Sequence, residues 1–275
     1  MKIAIGLLLS HGFPAPTDFW DSYELVMSHV ATGAANATLP EHLKIDGIRR
    51  FKSTAFPPDV GRNEICRHVL ETDAQYLFFM DCDMTFPADV IPRLLAHDKA
   101  VITARYHMRK PPHSPAVYVK HPFVEGRHAY KAIHFGQGVF EVERGGAGAL
   151  LIRRDVLEAI RFRRGPNNWF RYQLGPEDEP DMTVSEDFWF YQQAREAGFP
   201  VFCDWETECG HLQMMTVNGT WNRAYLDAQI RSVATLSEDK RKEYLDSIVV
   251  CGMPDGVTLP TGDHVRAYEY QPGER

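Results

Sequence analysis

Tyr76-Leu77-Phe78-Phe79-Met80-Asp81-Cys82-Asp83 decides how this chain is read. The first five residues are apolar or aromatic, entered from polar residues and left at a polar cluster. That pattern predicts a buried strand. Where the strand opens into a loop, Asp81 and Asp83 place two carboxylates two positions apart. Ligands of α/β sheets bind at the carboxyl ends of the strands. Paired carboxylates there form a hard-oxygen site that suits Mg²⁺ or Mn²⁺, which favour carboxylate, water and phosphate oxygens. The simplest ligand for such a site is a metal-bridged diphosphate. Aspartates after a strand also serve as plain turn-formers, so the surrounding sequence has to separate the two readings.

Outward from that strand, strand-like and helix-like stretches alternate. Lys2 to Leu9 reads as a first strand. Thr17 can cap a helix with Asp18 in its first turn, and Phe19, Tyr23, Val26, Met27 and Val30 share one face ahead of Gly33. Ile48 to Thr54 is a second strand. Past Phe56-Pro57-Pro58, Asp59 is expected to cap a helix with Val60, Ile65, Cys66, Val69 and Leu70 as its buried stripe. Pro87 suits the first position of another helix, with Val90, Ile91, Leu94 and Leu95 inward, and Ala100 to Ala104 is a further strand. Such alternation implies an α/β fold with a mostly parallel sheet.

From Met108 to Arg144 the pattern changes. Pro111, Pro112, Pro115 and Pro122 punctuate short apolar pairs, so antiparallel strands or loops are expected. Gly145-Gly146-Ala147-Gly148 leads into a strand, Ala149 to Ile152, and then a helix from about Asp155. Residues 163–184, rich in Pro, Asn, Asp and Glu, read as a mobile loop. Ser185 is expected to cap a helix through Ala197 that ends at Gly198, and Pro200 to Trp205 is a strand. Helices are expected near 221–236 and 238–248, and an extended tail from Pro254. The domains expected are a catalytic one over 1–215, in halves 1–105 and 106–215, and a C-terminal helical extension with a tail over 216–275.

The 275 residues are 44% hydrophobic and 24% charged, a globular balance with ample length for a core. A net charge of −7 excludes a basic domain built for nonspecific nucleic-acid binding. An acidic protein that handles an anionic nucleotide needs a local cation, and a divalent metal supplies one. Five cysteines, an odd number without CxxC spacing, argue against a disulfide framework or a structural zinc site. Cys203, Cys209 and His211 are irregularly spaced for zinc. A reducing, cytoplasmic setting is expected. The start reads as a strand rather than a signal peptide, and no run approaches transmembrane length.

A second acidic cluster, Ser185-Glu186-Asp187, opens a helix whose packing face is expected to be Phe188, Trp189, Tyr191 and Ala194. Capping alone accounts for it: a Ser cap, with acids favoured by the helix dipole. A carboxylate there can equally act as a general base toward an acceptor hydroxyl. His211 follows a strand, beside Cys209 and Gly210. An imidazole at a sheet end is either structural or a partner for two aspartates around Mn²⁺.

Together these pieces resemble a glycosyltransferase of the GT-A fold, family 2-like. The resemblance rests on Arg62-Asn63, on Tyr76 to Pro87, on Gly146 to Arg154, on Ser185 to Phe188 and on Gly210-His211. It covers residue 1 to about 215. It implies a GT-A-type, Rossmann-like sheet with an acceptor-side portion, and a hexosyltransferase-type activity with Mn²⁺ or Mg²⁺ and a nucleoside-diphosphate sugar, UDP favoured, as donor. It implies Asp83 as direct metal ligand, Asp81 toward the ribose or a metal-bound water, and His211 as the third protein ligand. Ser10 would border the nucleotide base, and Arg62 would lie near the base or diphosphate. Gly146 and Gly148 would line the donor sugar or acceptor. Asp187 would be the base, with Glu186 as the alternative. Inversion and retention both stay open.

The acceptor is open as well: a glycan, a small molecule or a modified DNA base. Trp169, Phe170, Tyr172, Trp189, Trp205 and Trp221 can stack on sugars or fill a core. His107, Arg109, Lys110 and His113 form a small basic stretch, either a solvated loop or a contact for a phosphate-bearing acceptor. The competing readings are a phage-type enzyme acting on hydroxymethylated DNA bases, a nucleotidyltransferase and a non-catalytic nucleotide-sugar-binding protein. Ser10-His11-Gly12-Phe13-Pro14 lacks the Gly-rich, basic start that many nucleotidyltransferases carry.

Overall fold

The computed structural model describes residues 1–10, 14–120, 130–174, 184–213, 237–246, 257–259 and 264–265. The chain divides into two compact units, Met1–Gln213 and Met214–Arg275.

The first unit is built on a seven-stranded sheet. Its strands are β1 (Lys2–Leu8), β2 (Gly47–Ser53), β3 (Tyr76–Asp81), β5 (Val101–Arg105), β8 (Val139–Val142), β10 (Ala149–Arg153) and β11 (Val201–Glu208). They run in the order β2-β1-β3-β10-β5-β11-β8. β1 is parallel to β2 and β3, and β5 is parallel to β11. β10 runs antiparallel between β3 and β5, and β8 antiparallel on the β11 edge. β6 (Val117–Lys120), β7 (Tyr130–Ala132) and β9 (Arg144–Gly145) make a separate antiparallel sheet, as the proline-punctuated segment led one to expect.

The helices are α1 (Thr17–Ala31), α2 (Pro58–Leu70), α3 (Val90–Ala96), α4 (Arg154–Arg164) and α5 (Glu186–Glu196). Strand side chains alternate between two cores, because successive residues of a strand point to opposite faces. Ile3, Ile5, Phe78 and Met80 join the α1 and α3 residues Phe19, Val26, Ile91 and Leu94 in one core. Ala4, Leu77 and Phe79 join Ile65, Val69, Val156, Ile160 and Phe190 in the other. β3 is buried on both faces, as its unbroken apolar run requires.

Several local expectations shift. Thr17 and Asp59 lie inside the first turns of α1 and α2, while Pro16 and Pro57 hold the cap positions. Val60 is 48% exposed, so the buried stripe of α2 begins with Gly61 and Arg62 instead. The third helix starts at Val90, not at Pro87, whose carbonyl accepts from the Val90 N–H. α5 turns Phe190, Tyr191, Gln193 and Ala194 inward and leaves Phe188 and Trp189 half-buried. The first part of the expected mobile loop is locked: Trp169 and Phe170 are buried, and both backbone N–H groups donate to Asn63 Oδ1. Its residues 175–183 lie outside the described residues. In the second unit, a helix α6 (Glu238–Asp246) and an antiparallel pair, β13 (Val257–Thr258) with β14 (His264–Val265), are described. The helix expected near 221–236 lies outside the described residues. No helix among them is long and apolar enough to cross a membrane.

Candidate functional site

A cavity of about 660 Å³ opens at the carboxyl ends of β1 and β3. Ser10, Arg62, Asp81, Asp83, Gly146, Glu186, Asp187 and His211 all line it. Every expected site residue except Gly148 therefore meets in one place.

The floor is Arg62. Its place on α2 follows from helix spacing, since it shares a face with Ile65, Cys66 and Val69. It is 2% exposed. Its guanidinium donates to both oxygens of Asp81, Nη1 to Oδ1 at 3.0 Å and Nη2 to Oδ2 at 2.7 Å. Nε faces Asp187 Oδ1 at 3.7 Å and Glu186 Oε1 at 4.0 Å. Arg62 lines the cavity, with its side chain committed to these carboxylates.

Three carboxylates thus share one guanidinium, and the imbalance registers in the proton affinities of Asp187 and Asp81. Burial raises the Asp187 carboxyl well above the usual carboxylate range, Glu186 adds to the rise, and Arg62 opposes it. Burial likewise raises Asp81 against the pull of Arg62. Asp187 Oδ1 and Arg62 Nε are buried without a hydrogen-bond partner among the described residues. Glu186 is buried, and its charge adds to the burial that raises the Tyr172 hydroxyl.

A second cluster lies across the cavity. β12 (Gly210–His211) pairs antiparallel with β4 (Met84–Thr85), directly after the Asp81–Asp83 turn. Leu212 N–H donates to the Asp83 carbonyl at 2.7 Å. This short ladder, invisible in the sequence, holds His211 against Asp83. His211 Nδ1 lies 2.8 Å from the His107 carbonyl oxygen, which can only accept, so Nδ1 carries the proton. Nε2 then faces Asp83 Oδ2 at 3.5 Å. Arg109 Nη1 lies 3.0 Å from the same oxygen. Burial lowers the His211 imidazolium, but Asp83 and the His107 carbonyl outweigh it and the group ends raised. Asp83 is pushed up by burial and pulled further down by His211 and Arg109.

With Nδ1 protonated, a neutral His211 aims a lone pair at a carboxylate. Two acceptors face each other, and the arrangement demands a proton or a cation between them. Asp83 and His211 therefore fit a divalent metal, with an imidazole and a carboxylate as donors. Both Asp81 oxygens accept from Arg62, which orients that carboxylate. Among the described residues no three His, Cys, Asp or Glu side chains are grouped to hold a metal ion. Asp81, Asp83 and His211 all line the cavity, with Asp83 and His211 facing each other.

Gly146 lines the cavity, and the glycine loop is also closely packed. A Cβ on Gly146 would stand 1.7 Å from Tyr106 Oη, and one on Gly148 would stand 2.3 Å from Met84 Sδ. The missing side chains let Tyr106 and the Asp81–Met84 turn close against the loop. Gly148 sits behind Asp81, its carbonyl accepting from Asp81 N–H at 3.1 Å.

Ser10 N–H donates to Cys82 Sγ at 3.2 Å at one edge of the cavity, near Ala55 and Phe56. On the opposite wall Tyr118 packs edge-on to Phe188 with ring centroids 5.1 Å apart. Of the described aromatics considered for stacking, Tyr172 alone lines the cavity; Trp169, Phe170 and Trp205 are core. Trp189 donates through its indole N–H to the Asn168 carbonyl, and Trp221 lies outside the described residues. Tyr106, Tyr118 and Arg109 were not anticipated as neighbours of the acids. Only Arg109 carried a signal, its place in a basic stretch.

No protein-family model matches the chain, and no curated protein matches it by sequence. Among solved structures, GalNAc-T7 with UDP, GalNAc and Mn²⁺ is similar at 10% identity and a TM-score of 0.50, over 94% of this chain and 52% of that one. The chain thus spans about half the length of that protein. This is a GT-A-like α/β fold. A197 from STIV is similar at 16% identity and a TM-score of 0.46, over 78% of this chain and 87% of that one. Identities this low speak to the fold alone.

Proposed function

We propose that the protein is a divalent-metal-dependent glycosyltransferase. It moves a sugar from a nucleoside-diphosphate donor, UDP favoured, to an acceptor hydroxyl. One observation carries this reading: Asp81, Asp83, Glu186, Asp187 and His211, from separate chain segments, converge on one cavity at the strand ends of a GT-A-like sheet.

Asp83 and His211 would hold Mn²⁺ or Mg²⁺, with donor phosphate oxygens completing its coordination. Bound there, the metal would act as a Lewis acid on the departing diphosphate. Arg62 fixes Asp81 rigidly beside that position, so the carboxylate is oriented before the donor arrives. Asp187 is the base. Its raised proton affinity suits removal of a hydroxyl proton as the acceptor oxygen bonds to the anomeric carbon and the bond to the diphosphate breaks. Glu186 is buried, whereas Asp187 Oδ1 has no hydrogen-bond partner among the described residues, which favours Asp187 for this role. Tyr118 and Phe188 offer a half-buried aromatic wall for an acceptor ring.

The test is a thermal-shift panel of UDP-, GDP-, CMP- and dTDP-sugars with Mn²⁺, each repeated with EDTA. One nucleotide is expected to stabilise the protein by ~2.7 kcal/mol at a hundred times its Kd. The shift should vanish with EDTA and in Asp83→Ala. Silence across all four nucleotides would overturn the proposal.

A further inference from the structure

Among the described residues two arginines line the cavity, and of these Arg62 is buried. Arg109 has a side chain 50% exposed and stands on the irregular segment between β5 and β6. That segment is closed by Met108 N–H to the Ser114 carbonyl at 2.9 Å and by a bridge between His107 and Pro115. Its closure leaves the tip, with Arg109, projecting over Asp83.

Asp83 Oδ2 is shared by Arg109 at 3.0 Å and His211 at 3.5 Å. A carboxylate oxygen between a guanidinium and an imidazole has the surroundings of a cation site filled by side chains. We propose that Arg109 is an exchangeable counter-cation: it holds Asp83 in the free protein, yields that oxygen to the divalent metal, and then binds the donor's diphosphate. This inference rests on the metal-dependent activity proposed above.

Electrostatics supports the exchange. A guanidinium and a divalent cation cannot share one carboxylate oxygen without strong repulsion at contact distance. The displaced side chain is long and already half in solvent, so it moves without breaking a core. Asp81, Glu186 and Asp187 are served by Arg62. The new anion entering the cavity is the diphosphate, whose oxygens match the planar fork of an arginine.

The test titrates Mn²⁺ alone into the full chain by calorimetry, using wild type, Arg109→Gln and Asp83→Asn. Inorganic pyrophosphate is then titrated at saturating Mn²⁺. Arg109→Gln is expected to bind Mn²⁺ about fivefold more tightly, the equivalent of one released exposed ion pair. The same variant should bind pyrophosphate at least ~10-fold more weakly, as loss of a charged hydrogen bond predicts. This reversal of sign is the signature of exchange. Unchanged or weaker Mn²⁺ binding in Arg109→Gln, with binding abolished in Asp83→Asn, overturns the exchange and leaves the metal site standing. Unchanged pyrophosphate affinity overturns the transfer to the diphosphate. Mn²⁺ binding that is absent in wild type, or indifferent to Asp83→Asn, overturns both the exchange and the metal-dependent activity.

Discussion

At the scale of single residues, the site is governed by one arithmetic fact: Asp81, Glu186 and Asp187 surround a single buried guanidinium. Asp187 bears the consequence, with an Oδ1 unpartnered among the described residues and a proton affinity raised first by burial and then by Glu186. Two results follow for Asp187→Asn. Transfer should fall roughly 10²- to 10⁴-fold, the usual contribution of a positioned base. Stability should rise at neutral and higher pH. The folded pKa lies above the unfolded value, so the wild-type side chain favours the fold fully below the unfolded pKa and loses that contribution as pH climbs through the folded one. Removing the charge removes the loss, worth roughly 1–3 kcal/mol on the scale of an unsatisfied buried group. The catalytic profile has the matching sign: kcat/KM should decline as pH drops through a pKa displaced upward from the ordinary carboxylate range. A variant that loses Tm, or a profile whose acid limb sits at an unshifted carboxylate value, would remove Asp187 from the role of base.

At the scale of elements, short pieces of backbone bring these residues together. The β4–β12 ladder carries His211 to Asp83, and the 145–148 loop carries Tyr106 to the back of Asp81. Gly146→Ala puts a methyl 1.7 Å from Tyr106 Oη, so the loop or the ring must shift. Overpacking of this kind costs ~1–3 kcal/mol. The Tm of Gly146→Ala should drop accordingly with the circular-dichroism spectrum unchanged, and its metal-dependent nucleotide shift should weaken because Gly148 and Asp81 move with the loop. A wild-type Tm would show that Tyr106 gives way freely. Helices were legible wherever apolar periodicity was strong, as with Val90, Ile91, Leu94 and Leu95. Periodicity also held an unread signal: Arg62 falls in phase with Ile65, Cys66 and Val69, which marks an arginine turned inward. Two-residue strands such as β4 and β12 have no period to read. Trp169 and Phe170 hide in a polar, Pro- and Asn-rich stretch because Asn63 from α2 satisfies their backbone N–H groups, a long-range contact that no local pattern encodes.

At the scale of the whole molecule, the alternation of strands and helices predicts an α/β sheet, yet it cannot order the strands. Ala149-Leu150-Leu151-Ile152 is equally apolar whether it runs with its neighbours or against them, and here it runs against both β3 and β5. That reversal matters to the site, because it delivers the glycine loop at the start of β10 to the strand ends where Asp81 emerges from β3. Among the described residues, the cavity is lined by none later than His211 and the two cores by none later than Leu212. Met1–Gln213 accordingly forms one compact unit by itself. A chain ended at Gln213 is expected to unfold in a single cooperative transition and to keep the nucleotide shift that depends on Mn²⁺. Ending it at Cys209 should preserve the sheet, since β11 closes at Glu208, but remove His211 and the Leu212 bond to the Asp83 carbonyl. The Mn²⁺-dependent part of the shift should then disappear while the circular-dichroism spectrum stays. Loss of cooperativity in the longer fragment would mean that the second unit completes the fold. A retained Mn²⁺ response in the shorter fragment would mean that His211 is not a ligand.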